Sequence, residues 1–576
     1  MWVVLVAGFL FVATLLFRWR AVKTMVEAIL VTKCTRPTSP IELIGAYGPA
    51  TAPLWPGANP HDPQGLCGGG GNGGGRSRSE RLLDQGMMHL FGFNYEEARH
   101  NFKAALQMTG QDDCRLCTFG LAATYQPHIN SPLSEEKVKS GREIVKNRLS
   151  VSGKICPAER RLLEAQLTLF DPETWNTTAT SRYSAALGRL VEEYGGRKSA
   201  PPLLQILHAE SIMNNSPWSY FEQQSQSGNA TTGGVMRELI VPAFQTLEAI
   251  IFGEAPVLHP LALHLFIHIA EQSNELAATQ GMQAADHLAR VMNGTFAGHL
   301  VHMPAHIFTR VGLYAKSIAS SVAAVAVDKL YTARCLQPYV SHHNTALLVM
   351  AALHAADLKT ALRHTVPVLE TDPLIATYLT ALFPMPTELV LARFGKWDAL
   401  KKVAAGQRGD ELRRRRGMAL PAFLRALLVY AHSLVAIHST FSLPSSSEAL
   451  WRSAAADMSE AARGIAPDEL PKDHVFYPNH VELGIIMNAT IHAAVASKLG
   501  RFGEAADLIR GAVVVQDAFH YMEPENWYLP MRQCLAAVLL KAGKRHEAVA
   551  QLEEDVLQHP NSPWAKGVCC EVVSCG

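Results

Sequence analysis

Residues 85–106 read QGMMHLFGFNYEEARHNFKAAL, and this stretch decides the architecture. Gly86 is a small residue within an apolar helical run, GFN makes a turn, and Ala98, Phe102 and Ala105 recur at helical spacing beyond it. In helix-turn-helix repeats of about 34 residues, a small residue lets two helices cross closely and an aromatic fills the space beside the crossing. Gly120 stands 34 residues after Gly86, so the cycle restarts there.

The same turn-plus-helix text recurs along the chain. It reads VGLYAKSIASSVAAVAVD at 311–328, AADLKTALRHTV at 355–366 and FGKWDALKKV at 394–403. LGRFGEAADLIRGAV follows at 499–513 and AGKRHEAVAQLEEDVLQHP at 542–560, the last with Ala548, Leu552, Asp555 and Pro560 in register. Spacing is uneven, 43 residues separating Ala505 from Ala548. The array is therefore degenerate, with lengthened helices. No alternating strand pattern competes with it after residue 80. The expected fold is all-α: a tetratricopeptide-like (TPR-like) α-solenoid, a right-handed superhelix of helix-turn-helix repeats.

The flanks have a different character. Residues 1–24 open with seventeen apolar residues and then Arg18, Arg20 and Lys23, the pattern of a hydrophobic signal-anchor. Basic residues on its C-terminal side favour a single-pass membrane segment with the bulk cytosolic. N-x-T sequons at Asn176, Asn229, Asn293 and Asn488 would instead require the lumenal side if glycosylated. Residues 25–80, rich in Pro and Gly, form a flexible linker. A first TPR-like lobe is expected over 81–410, a basic run and connector over 411–450, a second lobe over 451–567 and a Cys-containing tail over 568–576. With Lys+Arg 52 against Asp+Glu 51, nothing favours a nucleic-acid partner. Ten cysteines in 576 residues are too sparse for a disulfide framework, and the CxxC at Cys114 and Cys117 lacks a second copy at zinc-finger spacing.

Eight of the 24 histidines fall between His264 and His343. His264 and His268 are neighbours on one helical face, with Glu271 three residues on. His299, His302 and His306 follow, with Pro304 placing a helix start near Met303 and leaving His299 in the approach loop. His342, His343 and Asn344 open a third helix. If these are the first helices of successive hairpins, they line a concave groove roughly 10 Å apart. His264, His268, His302 and His306 are candidate ligands for a divalent metal such as Zn, Cu, Fe or Mn. Glu271 and Glu210 are candidate general bases; His299, Arg310, His343 and Asn344 are candidate ligand-binding residues. No HExxH is present, because position 265 is Leu.

The text HLVHMPAHIFTRVG at 299–312, with PLALHLFIHIAE, SHHNTALLVMAAL and YMEPENWYLPMRQCLAAVLLKAGKRHEA, resembles a family of TPR proteins of bacteria and algae that carries the HLVHMPxHI motif. The resemblance covers roughly residues 82–567. It implies the superhelix and carries His264, His268, His299, His302, His306, His343 and Asn344 as motif positions, without fixing an activity. The text around His128 and Asn130 departs from the family pattern. Two functions follow. The first is a membrane-tethered scaffold whose His-rich groove holds a partner protein, peptide or small ligand. The second is a metal-dependent hydrolase or oxidoreductase built on the clustered histidines.

Overall fold

The computed structural model describes residues 78–109, 116–151, 155–222, 234–368, 385–406, 422–439, 444–467 and 479–566. The apolar run at the N-terminus, the Pro/Gly-rich linker up to residue 77, Arg413–Arg416, Asn229 and the tail from residue 567 lie outside them. Among the described residues the chain is helical, with isolated β-bridges and no strand. None of these helices is long and apolar enough to cross a membrane.

The helices pair in order. The first hairpins are α1 (Arg78–Phe91) with α2 (Tyr95–Thr109), α3 (Cys117–Ala123) with α4 (Glu135–Ser150), and α5 (Pro157–Leu169) with α6 (Ala179–Glu193). Next come α7 (Pro202–Met213) with α8 (Val241–Phe252), and α9 (Pro260–Ala270) with α10 (Met282–Val291), which is entered through a π-turn at Ala277–Gly281. Then α11 (Gly298–His302) and α12 (Pro304–Arg310) face α13 (Tyr314–Ala333), and α14 (Ser341–His354) faces α15 (Leu358–Arg363). The second half holds α16 (Thr387–Arg393), α17 (Trp397–Gly406), α18 (Ala422–His438) and α19 (Pro444–Arg463). It ends with α20 (His480–Lys498), α21 (Phe502–Asp517), α22 (Met531–Lys541) and α23 (Arg545–Gln558). Each helix packs mainly on its neighbours in sequence, which makes this a TPR-like all-α solenoid.

The founding repeat explains its own packing. Phe102 is fully buried between Gly86 and Gly120, the two glycines a repeat apart. A β-carbon at Gly86 would stand 2.7 Å from the Phe102 ring, and one at Gly120 would stand 2.5 Å from it. Hydrogen at both positions is what admits the ring. Buried apolar residues form two clusters, one from Leu82 to Leu336 and one from Val349 to Ala548.

Two details differ from expectation. The segment before Pro304 is already helical, so His299 lies on α11 rather than in an approach loop. The backbone at Met303 stays in the right-handed helical region, and Pro304 simply occupies a first-turn position where its missing N–H costs nothing. Cys117, Cys156, Cys335 and Cys534 are disulfide-bonded, against the sequence expectation of no framework. Low cysteine density says nothing about which helix ends abut, and a disulfide needs that proximity.

The array also closes on itself. α1 packs against α9, and the loop between α21 and α22 reaches back to α12. Gly120→Ala tests the founding repeat. Its methyl cannot be absorbed because Gly86 backs the other side of the ring, so the variant loses roughly 1–3 kcal/mol. A urea titration reads this as a lower midpoint at unchanged slope; an unmoved midpoint would mean that the ring has room.

Candidate metal centre

α9 is buried along its whole length. His264 leaves it toward the C-terminal end of α1, where the last carbonyls of a helix have no partner within the helix. Its Nδ1 donates to the Phe91 carbonyl at 2.7 Å. That carbonyl only accepts, so the ring keeps its proton on Nδ1 and presents a lone pair on Nε2. Four residues on, His268 Nδ1 donates to Glu271 Oε1 at 2.7 Å, and its Nε2 is likewise free. These two Nε2 atoms face each other at 3.0 Å. His299, from α11, joins them: the donor atoms of His264, His268 and His299 lie within 4.8 Å of one another.

A second set forms beside the first. His302 Nε2 is 3.0 Å from His306 Nε2, which is 3.1 Å from His343 Nε2 on α14. His306 Nδ1 points away, to Glu271 Oε2 at 2.6 Å and Glu523 Oε2 at 3.1 Å. Glu271 thus spans the two sets with one carboxylate, an oxygen to each, and Tyr521 donates to the second oxygen at 3.3 Å. Between sets, the rings of His268 and His306 lie 6.1 Å apart and those of His299 and His302 lie 6.2 Å apart.

The electrostatics follow from burial. His264, His268, His299, His302 and His306 are all at most 5% exposed. Burial drives His264, His299, His302 and His343 well below the ordinary imidazole range, and the neighbouring rings push the same way. Burial would also lower His306, but Glu271 and Glu523 outweigh it and raise the ring to about 10. Burial alone would raise Glu271, yet His306 and His268 together hold it below the usual carboxylate range. Glu523 is pushed up by burial in spite of His306.

An aromatic wall seals the first set. Phe93 stacks on His128 at 4.4 Å and lies 4.5 Å from His264. Trp218 sets its edge against His268 at 5.2 Å, and Tyr339 sets its edge against His299 at 5.0 Å. Asn130 ties the wall together, accepting from Trp218 Nε1 at 2.9 Å and donating to the Tyr339 hydroxyl at 3.3 Å. Both Phe93 and Trp218 have positive φ, 59° and 61°, a backbone region that non-glycine residues seldom occupy. Such conformations persist where the surroundings over-determine them.

The four residues expected to hold one metal divide between the two sets, His264 and His268 with His299 in one and His302 and His306 with His343 in the other. Glu271 is present with both oxygens engaged by imidazoles. Asn344 instead donates to Asp328 Oδ2 at 2.8 Å. Arg310 lies over the Tyr521 ring at 4.9 Å. Glu210 sits among tyrosines, sensed by Tyr95, Tyr183 and Tyr220, and burial raises it to about 7. Sequence reasoning did not assign roles to Phe93, Trp218, Tyr339, Tyr521 or Glu523. For the last two, the motif YMEPENWYLP held a signal; for the aromatics there was none, since single rings carry no spacing pattern.

No family model and no curated protein matches the sequence. Among solved structures, a chain of the crystal structure of the APC/C hetero-tetramer Cut9–Hcn1 is similar over 86% of this chain and 97% of that one. The two share 11% identity, with a TM-score of 0.25.

Asp328 offers a pH test of this region, because it lines a small pocket that His299 also lines. Burial raises its carboxyl to about 7, against the hydrogen bond from Asn344. The folded protein then keeps a proton that the unfolded chain has released, so stability falls as pH rises from the normal carboxyl range to about 7 and then levels off. Asp328→Asn removes that loss. In urea titrations its advantage over wild type is expected to be larger near pH 8 than near pH 4, by about 1.4 kcal/mol for every tenfold gain in the carboxyl's proton affinity on folding. An equal difference at both pH values would refute the assignment.

Proposed function

We propose that the protein is a metal-dependent oxidoreductase whose centre is a pair of copper ions. One ion is held by His264, His268 and His299, the other by His302, His306 and His343. The observation that carries this reading is the pair of Nε2 atoms on His264 and His268, 3.0 Å apart, with both Nδ1 protons already committed to acceptors. Two lone pairs facing each other in a dry interior repel, and a bound cation turns that repulsion into coordination. His302 and His343 likewise bring their Nε2 atoms to 3.0 and 3.1 Å from His306 Nε2, and a metal ion there would displace the proton that Glu271 and Glu523 hold on His306.

The donor chemistry supports copper. Imidazole suits Cu, Zn, Fe and Ni, whereas Mg, Ca and Mn favour carboxylate and water oxygens. Among the described residues, the carboxylates that bond these rings are Glu271 and Glu523, both on the Nδ1 side, away from the proposed ions. Held by these six imidazoles, two copper ions would supply two-electron chemistry, one electron each, from an organic reductant to dioxygen, with two protons taken up to give hydrogen peroxide. Glu271 is given a positioning role here, in place of the base role expected from sequence: it fixes the tautomers of His268 and His306 at once. Glu210, beside the tyrosines, remains the candidate base.

Partner binding through a helical-repeat face stays compatible with the fold. Any partner would contact other residues, because five of the six imidazoles are buried. The disulfide-bonded cysteines favour an oxidising compartment, and Asn176 and Asn293 are exposed sequon residues. We therefore place the described part on the lumenal or extracytoplasmic side; a glycosidase mobility shift on protein from a eukaryotic host checks this.

Copper-loaded full-length protein is expected to hold two ions at this centre and, when oxidised, to show far less electron-paramagnetic signal than its copper content, because adjacent Cu²⁺ spins couple. A full signal from isolated ions, or metal-free protein after loading, would sink the reading. Glu271→Gln is expected to weaken copper affinity by about 10–100-fold, while Glu210→Gln leaves affinity unchanged and lowers turnover. Equal affinity in wild type and Glu271→Gln would remove the positioning role.

A further inference from the structure

Past Glu523, the same loop delivers Glu525 to a different pair of histidines. His354 ends α14, His559 follows the last turn of α23, and Glu525 lies between α21 and α22. Three separate elements therefore supply one side chain each, and their donor atoms lie within 4.8 Å of one another. His559 Nε2 is 2.7 Å from Glu525 Oε1, and His354 Nε2 is 3.6 Å from the same oxygen. The two rings stack at 4.7 Å, and Tyr314 covers His354 at 5.5 Å.

The second nitrogen of His559 is held from behind. Its Nδ1 lies 2.9 Å from Asp555 Oδ1, one helical turn earlier. A carboxylate accepting Nδ1–H turns Nε2 toward Glu525 and makes it basic, the support that metal-ligating histidines receive. His354 is 2% exposed, and its Nε2 has no hydrogen-bond partner. A proton on His559 satisfies the contact between His559 and Glu525 and leaves His354 orphaned. A metal ion satisfies all three. The cluster lines a small pocket, which Arg310 and Tyr521 also line.

We propose that His354, His559 and Glu525 bind one divalent transition-metal ion, of the Zn²⁺ or Fe²⁺ class, at a site separate from the six-histidine pair. Two imidazoles and one carboxylate form a ligand set that leaves coordination positions open, and the adjoining pocket admits a ligand the size of water or hydroxide. Arg310 on its wall fits an anionic one. Nothing in this assignment depends on copper at the other centre.

The test strips full-length protein with a chelator and reloads it with Zn²⁺ alone or Co²⁺ alone. Glu525→Gln and His559→Gln are each expected to bind one zinc fewer per chain than wild type, and both lose the visible absorption of Co²⁺ at this site. His268→Ala keeps that ion, whatever it does at the six-histidine centre. Glu525 has a side chain 35% exposed and sits in a loop, so its variant is expected to stay folded when metal-free, which far-UV circular dichroism checks. Unchanged zinc content and an unchanged cobalt spectrum in both variants overturn the proposal. So does a spectrum lost in His268→Ala but retained in Glu525→Gln.

Discussion

Imidazole nitrogens that face one another in a dry interior have nothing to give each other unless something positive stands between them. At His264 and His268 the outward nitrogens are already spent, on the Phe91 carbonyl and on Glu271, so the inward ones are left as acceptors. Much of the local structure serves that condition. α9 is buried on every side, the aromatic wall excludes water from the first set, and one carboxylate ties both sets to a common orientation.

The solenoid supplies what a single hairpin does not. Helices 260–270, 298–310 and 341–354 are consecutive first members of their hairpins, and this stacks their histidines. Closure then adds residues from far along the chain. The end of α1 contributes Phe91 and the turn after it Phe93, and the loop after α21 contributes Tyr521, Glu523 and Glu525. Trp564 and Ser562 also bond to backbone carbonyls of residues 353 and 354, fastening the C-terminal end beside the second cavity. An array that only extended would leave the imidazoles with fewer acceptors and a more open flank.

Repeats and the histidine cluster were legible because both are periodic. Gly86, Phe102 and Gly120 announce a helix crossing, and spacings of three and four place imidazoles on one face. The tautomers were not legible, since they depend on acceptors 173 residues away in one case and three residues away in another. Glu271 shows the limit well. Its position beside His268 was readable, but its second oxygen meets His306 only through the packing of α12 on α9, which turns a candidate base into a bridge. His354 is a similar case, since a lone histidine on an apolar helix reads as core until His559 arrives from the far end of the chain.

Sequence by itself determined the helical hairpins, their order and the identity of the six clustered imidazoles, because helix periodicity and small-residue crossings are local properties of about one repeat. Tertiary structure alone decided that the rings meet by their Nε2 atoms, that Glu271 and Glu523 stand behind them, and that a separate trio forms around Glu525. Those facts depend on how far the array turns before its ends meet. Many small packing angles sum to that closure, and no single stretch of residues encodes it.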